Sequence, residues 1–196
     1  MNRTITNNGL KWLTGLQYLA LEENEVITNE GLSKLTNLTH LNLPSSTKIT
    51  DEGLKYVTQI RSISLDENYD ITYKGLQLLP NLISLDISLN ENISNDNLKQ
   101  LTNLRSLTLE ENSIITNDAI LLLTNLTYLN LSCNSTITDE GLIYLTNLKG
   151  LSLKSNYMIT NKGIQHLSKL INLDLTYNKL IVRNNLSSYI DVSIIL

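Results

Sequence analysis

The sequence predicts an α/β solenoid, a right-handed coil of stacked units with parallel strands on its concave face and short helices on its convex face. Three observations carry this prediction. A 22-residue segment recurs eight times without insertion, each copy opening on an isoleucine: Ile5, Ile27, Ile49, Ile71, Ile93, Ile115, Ile137 and Ile159. Counted from that isoleucine, positions 1, 6, 9, 12, 15 and 17 are aliphatic in all eight repeats. The chain also has no Phe and one Trp, whereas a compact globule fills irregular interior space with aromatics. A stack of identical layers needs one side-chain shape repeated, each layer burying its apolar side against the next.

Each repeat contains two periods. From position 12 the pattern L-x-x-L-x-L ends in alternation, the mark of a short strand with one face inward; in the fifth repeat these residues are Leu104, Leu107 and Leu109. Positions 6, 9 and 12 recur at intervals of three, which reads as a helix. Equivalent strands run the same way, so they form a parallel sheet with the helices as crossovers.

The joints between these elements have their own chemistry. Position 2 is Thr in seven repeats and Ser94 in the other, and position 3 is usually Asn or Asp. One of these two is expected as the helix N-cap. Position 5 is Gly in six repeats. Because Gly costs about 1 kcal/mol inside a helix, its recurrence predicts a backbone that comes close to the adjoining layer. Position 20 is Asn in seven repeats: Asn24, Asn68, Asn90, Asn112, Asn134, Asn156 and Asn178. An amide has two donors and an acceptor with two lone pairs, so these residues are expected to bridge backbone groups of successive turns as a structural asparagine ladder. The second repeat departs, with Pro44 at position 18 and Ser46 at position 20, and strand pairing is expected to end early there. Residues 1–196 read as a single domain, with repeats from 5 to 180. Residues 181–196 read as a degenerate ninth repeat or a C-terminal cap, with Leu186 in register and the last six residues alternating.

Lines such as LTNLTHLNL and LTNLTYLNLSCN carry the pattern L-x-x-L-x-L-x-x-N, which resembles leucine-rich repeat proteins over Ile5 to Leu180. The resemblance implies a horseshoe-shaped solenoid. The LTNL segments resemble the 22-residue internalin type, while joints such as ITDEGL resemble the repeats of F-box proteins, which are substrate receptors of ubiquitin ligases.

Composition narrows the function. A net charge of −4 argues against a nucleic-acid groove, which clusters Lys and Arg. Cys133 is the sole cysteine, which suits a reducing, cytoplasmic setting. The start MNRTITNNGLKWL lacks a continuous apolar stretch of the secretory kind, and no apolar run reaches membrane-spanning length. His40 and His166 are six repeats apart, too far for a triad or a metal pair. Cys133 reads as a small filler rather than a nucleophile. No P-loop, GxGxxG or CxxC is present. Neither catalysis nor a cofactor, metal or small-molecule substrate is expected.

What remains is a protein–protein interaction module. The alternatives are the substrate-recognition part of an F-box-type ubiquitin ligase adaptor, and an internalin-like adhesion module. Positions 14, 16 and 18 line the concave face and are mostly small and polar. The exceptions make the candidate partner-binding set: Tyr18, Glu22, His40, Asp66, Asp86, Glu110 and Tyr128. The acids Glu22-Glu23, Asp66-Glu67 and Glu110-Glu111 form either a stripe suited to a basic protein partner or solvated charge. Alternate strands are about 9.5 Å apart, so one cation held at about 2.3–2.6 Å cannot gather ligands from all three pairs. At position 8, Trp12, Tyr56, Leu78, Leu122 and Tyr144 are expected half-buried between neighbouring helices, with a convex binding patch as the alternative.

Overall fold

In the computed structural model, the described residues are 5–22, 24–45, 48–182 and 193–195. Glu23, Ser46 and Leu186, with the expectations attached to them, lie outside this set. The chain forms two compact bodies, residues 1–92 and 93–196.

The first body holds repeats one to four. Its elements are α1 (Asn7–Leu10), β1 (Tyr18–Ala20), α2 (Asn29–Leu32), β2 (His40–Asn42), α3 (Asp51–Leu54), β3 (Ser62–Ser64), α4 (Tyr73–Leu76) and β4 (Ser84–Asp86). The strands pair in parallel in sequence order, offset by one repeat: Leu19 lies beside Leu41, Leu41 beside Ile63, and Ile63 beside Leu85. The second body holds α5 (Asn95–Leu98), β5 (Ser106–Thr108), α6 (Asn117–Ile120), β6 (Tyr128–Asn130), α7 (Asp139–Leu142), β7 (Gly150–Ser152), α8 (Asn161–Ile164), β8 (Asn172–Asp174) and β9 (Ser193–Ile195). Strands β5 to β9 again pair in parallel in order. Strand β9 sets Ser193 beside Asn172, one residue short of the 22-residue offset. Residues 193–195 therefore supply a further parallel strand beside β8. Strands alternating with short helices are the architecture the repeat predicts.

The leucine positions are the core. Ile49, Leu54, Val57, Ile60 and Leu65 of the third repeat, and Ile115, Ile120, Leu123, Leu126, Leu129 and Leu131 of the sixth, are fully buried. Burying one such side chain stabilises by about 1.5–3 kcal/mol. Ile5 and Leu13 of the first repeat are exposed, since no described layer covers their outer side.

The helix is shorter and earlier than its leucine spacing suggests. It occupies positions 3 to 6 only, and positions 6, 9 and 12 are the corners of two three-residue turns. In the second repeat Leu35 N–H donates to Leu32 O (2.9 Å) and Leu38 N–H to Leu35 O (3.0 Å). Residues three apart stay aligned only when the chain turns once every three residues. An α-helix, at 3.6 per turn, would swing each leucine about 60° from the last.

Position 20 asparagines stitch the turns together. Asn134 Nδ2 donates to Leu109 O (3.1 Å) and Asn112 O (2.9 Å) of the preceding repeat, while its Oδ1 accepts from Thr136 N (3.1 Å) and Ile137 N (2.9 Å). Asn156 repeats the pattern onto Leu131 O and Asn134 O, and Asn68 donates to Leu43 O. Position 19, just before each asparagine, has φ of 51–58° at Glu67, Leu89, Glu111, Cys133, Ser155 and Tyr177. That left-handed conformation turns the chain out of the strand, and its N–H still pairs with the next repeat, as in Cys133 N to Lys154 O (2.9 Å).

A second ladder runs along position 3. Asn7 Oδ1 accepts from Thr28 N (3.0 Å) of the next repeat while its Nδ2 donates to Thr28 Oγ1 (2.8 Å). Asn29, Asn95 and Asn117 do the same for Thr50, Thr116 and Thr138. The N-cap position is position 2, but its hydroxyl caps the helix only at Thr72, Ser94 and Thr160. At Thr72 and Thr160 the preceding position 3 is an aspartate. Thr72 Oγ1 donates to Asp51 Oδ2 (2.7 Å) and Thr160 Oγ1 to Asp139 Oδ2 (2.6 Å), which leaves lone pairs to accept from Lys74 N and Lys162 N (3.2 Å each).

This ladder explains the glycines at position 5. A Cβ on Gly53 would stand 2.6 Å from Asn29 Oδ1, and one on Gly31 2.6 Å from Asn7 Oδ1. The glycine backbone comes close to the adjoining layer, as expected, and what it meets there is the side chain of the preceding repeat. Gly9, which follows no described repeat, has nothing within 4 Å of that point.

Strand pairing does not end early at Pro44. Leu43 N donates to Ser64 O (2.9 Å) and Ser45 N to Asp66 O (3.2 Å). The proline sits at position 18, whose N–H in repeats four, six and eight turns instead to the side chain two residues back: Ser88 to Asp86, Ser132 to Asn130, Thr176 to Asp174. A missing N–H there removes no strand-to-strand bond.

Candidate functional site

The outward strand side chains alternate with the buried leucines, as in the exposed–buried–exposed order of Tyr18, Leu19 and Ala20. In the first body, Tyr18 is 61% exposed, and its ring lies 6.2 Å from that of His40 on the paired strand, tilted by 33°. His40 Nδ1 is 2.9 Å from Thr39 Oγ1, which holds the ring's orientation. Glu22 is exposed one turn further on, and Asp66 is half-buried. The carboxylate of Asp86 serves the fold: Oδ1 accepts from Ser88 N (3.0 Å) and Ser88 Oγ (2.6 Å), and Oδ2 from Ser64 Oγ (3.1 Å). It holds the turn after β4 to β3.

In the second body Tyr128 lies over Gly150, where a Cβ would stand 2.8 Å from its ring. All three residues of β7 are buried, and Ser152 Oγ meets Ser132 Oγ at 2.9 Å. Beside this ring is a cavity of about 230 Å³ lined by Tyr128, Ser152, Asn172, Asp174 and Ile195, with Leu151 and Leu173 as its floor. Glu110 is half-buried and accepts from Asn130 Nδ2 (3.3 Å).

Of the seven candidate residues, Tyr18 and His40 are in contact; Glu22, Asp66 and Asp86 share their body, and Glu110 and Tyr128 lie in the other. Glu110, Glu111 and Cys133 bring ligand atoms within 4.8 Å of one another. Exposed acids often lie so close without an ion, and the three make an incomplete shell for any metal. Cys133 is exposed on its left-handed turn, so it is not the buried filler its size suggests.

On the helix side, position 8 is more open than expected for three of its five residues. Tyr56 and Leu78 are about 40% exposed, but Trp12 is 77%, Leu122 55% and Tyr144 61% exposed. With helices of four residues, position 8 falls in the turns beyond the helix and projects outward instead of filling a flank. Lys11 and Lys55 each lie over the adjacent ring, 5.2 Å from Trp12 and 5.4 Å from Tyr56. Among the described residues no helix is long and apolar enough to cross a membrane.

The comparisons with known proteins agree with this geometry. A family model described as Leucine Rich repeat matches residues 14–35, 34–57 and 122–146. No curated protein matches the sequence. The fold is similar to that of an internalin, inlF, from Listeria monocytogenes str. 4b F2365, with a TM-score of 0.65 and 28% identity over 95% of this chain. It is similar to internalin C2 from the same organism, with a TM-score of 0.65 and 26% identity over 97% of this chain and 84% of that one. The chain spans 55% of the inlF chain. A chain in the Rad7 and Elc1 complex from yeast shares the fold at a TM-score of 0.63 and 17% identity, over 97% of this chain and 65% of that one. Taken with the 22-residue period, the parallel three-residue strands and the buried asparagines that bridge their turns, these likenesses make the chain a leucine-rich repeat protein.

Proposed function

We propose that the chain is a non-catalytic protein–protein interaction module that binds a partner protein through its outward strand positions. The observation that carries this reading is the Tyr18–His40 pair. Two aromatic rings 6.2 Å apart on adjacent strands, tilted to each other and with Tyr18 61% exposed, cover no core. Rings held on paired strands lose little freedom on binding, which is what an interface anchor needs. Glu22 and Asp66 in the same body, and Glu110 in the other, favour a partner with basic groups. Asp86 adds negative charge from a fixed position. A cytoplasmic setting, suited to the lone Cys133, is part of this reading.

Two finer readings have separate support. The likeness to internalins at 28% and 26% identity favours an adhesion module. The ITDEGL joints favour the ubiquitin-ligase adaptor, for which a likeness at 17% identity adds the fold alone. The adhesion module would capture a cell-surface protein, and the adaptor a cullin-associated one, so the identity of a captured partner separates them.

The test is a pull-down with wild-type protein, Tyr18→Ala, and the triple variant Glu22→Lys, Asp66→Lys, Glu110→Lys, after circular dichroism shows equal folding. Tyr18→Ala should weaken capture at any salt. The triple variant should slow it at low salt and differ less at moderate salt, because charges at an interface rim act mainly on association. Identical capture by all three proteins at both salts would remove this face from consideration.

A further inference from the structure

The second body carries a groove of about 420 Å³ whose walls are basic, although the chain as a whole is acidic. Its three charged lining residues are Arg105, Lys149 and Lys169, and no carboxylate lines it. All three are exposed. Elsewhere lysines pair locally: Lys55 with Glu52 at 2.7 Å and Lys99 with Asp96 at 3.2 Å. Among the described residues, no carboxylate pairs with Arg105, Lys149 or Lys169.

The floor of the groove is fixed by a third ladder, at position 11. Asn125 Nδ2 donates to Thr102 O and Asn147 Nδ2 to Thr124 O, both at 3.0 Å, and Thr127 Oγ1 donates to Arg105 O at 3.0 Å. In the eighth repeat position 11 is Lys169 in place of asparagine, and its Nζ is held on Asn147 Oδ1 at 2.7 Å. The ammonium of Lys169 is thus held in place by a side chain of the ladder. Arg105 and Lys149 both occupy position 13, two strands apart, or about 9.5 Å. A peptide extended as polyproline II, with three residues per turn and a rise of about 3.1 Å, sets side chains i and i+3 on the same side about 9.3 Å apart.

We propose that this groove docks an acidic, extended segment of a partner protein, with carboxylates at i and i+3 meeting Arg105 and Lys149 and a third acid reaching Lys169. The inference rests on the protein-binding reading above and adds a second surface of opposite charge. A peptide suits the groove better than a nucleic acid, because no aromatic ring lines it to stack a base.

The experiment is fluorescence anisotropy of the whole chain with a fluorescein-labelled Gly/Ser peptide carrying Asp at i, i+3 and i+6. The comparison probes are the same peptide with Asn for Asp and a single-stranded oligonucleotide of equal charge. The Asp peptide should bind with an affinity that falls as salt rises, and the Asn peptide should not bind. Arg105→Glu with Lys149→Glu should weaken it at least about tenfold, and Arg61→Glu, the position-13 arginine of the other body, by less than about twofold. Equal loss in both variants, no binding at millimolar peptide, or tighter binding of the oligonucleotide would overturn the proposal. Failure here, with the Tyr18-dependent capture intact, refutes the groove and leaves the protein-binding reading standing.

Discussion

In repeats four, six and eight the side-chain oxygen at position 16 receives both the N–H and the hydroxyl of position 18. Asn42 receives neither, because position 18 is Pro44, and its buried Oδ1 has no partner among the described residues. An unsatisfied buried acceptor costs about 1–3 kcal/mol, while proline returns about 0.4–1 kcal/mol by stiffening the unfolded chain. Pro44→Ser should therefore raise stability by about 1 kcal/mol in urea melts, with Pro44→Ala, which restores the N–H alone, between it and wild type. A loss of stability in both variants would mean that Asn42 finds its donor elsewhere. The glycines at position 5 give a paired test. Gly9→Ala meets nothing and should stabilise by about 0.5–1 kcal/mol. Gly53→Ala pushes a methyl against Asn29 Oδ1 at 2.6 Å and Ile49 Cγ2 at 3.0 Å, and should destabilise. Equal melting shifts for the two would mean that position 5 is not where the preceding side chain sits.

Helices of four residues and strands of three have no stability of their own, so each element exists through its neighbours. Leu107→Ala, in the middle of β5, should cost about 2–5 kcal/mol through lost transfer energy and a cavity. Ser106→Ala, one residue away on the outward face, should change stability by no more than about 0.5 kcal/mol. The leucines are legible in the sequence because every repeat restates them, and the asparagines of position 20 because they follow the strand at a constant offset. The role of position 3 is not legible. An Asn or Asp beside a helix start reads as a cap, and only the stacking shows Asn117 reaching forward to Thr138. Nor is Asp86, since an acid on an outward position reads as free charge until Ser64 and Ser88 are seen to hold it. The basic groove hides for a similar reason. Positions 11 and 13 are split by a buried leucine and look unrelated until the strands place Lys169 beside Asn147. Cutting a position-3 rung checks the correction: Asn117→Ala should cost about 1–3 kcal/mol by orphaning Thr138 N–H, more than the loss of an exposed cap.

At the scale of the whole molecule, the candidate surfaces have opposite signs. The strand face offers Glu22, Asp66 and Glu110, and the groove offers Arg105, Lys149 and Lys169, within a net charge of −4. Within the second body, the strand-face Glu110 and the groove's Arg105 belong to the same repeat. A partner with both basic and acidic segments would be held in one orientation, and a uniformly charged one would be repelled by one of the surfaces. The position-3 ladder has a further consequence, for how such a chain can grow. In repeats one, two, three, five, six and seven the Asn or Asp of position 3 serves the Thr of the repeat after it, and residues 137–158 carry both halves of that exchange in Thr138, Asp139 and Gly141. A tandem copy of residues 137–158 inserted after Met158 would meet its predecessor through Asp139 and present the same Asp139 to Thr160. The lengthened protein should fold, with helix and strand signals in circular dichroism rising in proportion to the added repeat. The same 22 residues cut two positions later, between Thr160 and Asn161, would separate no matched pair either, so the reading frame of duplication is free while its length is not.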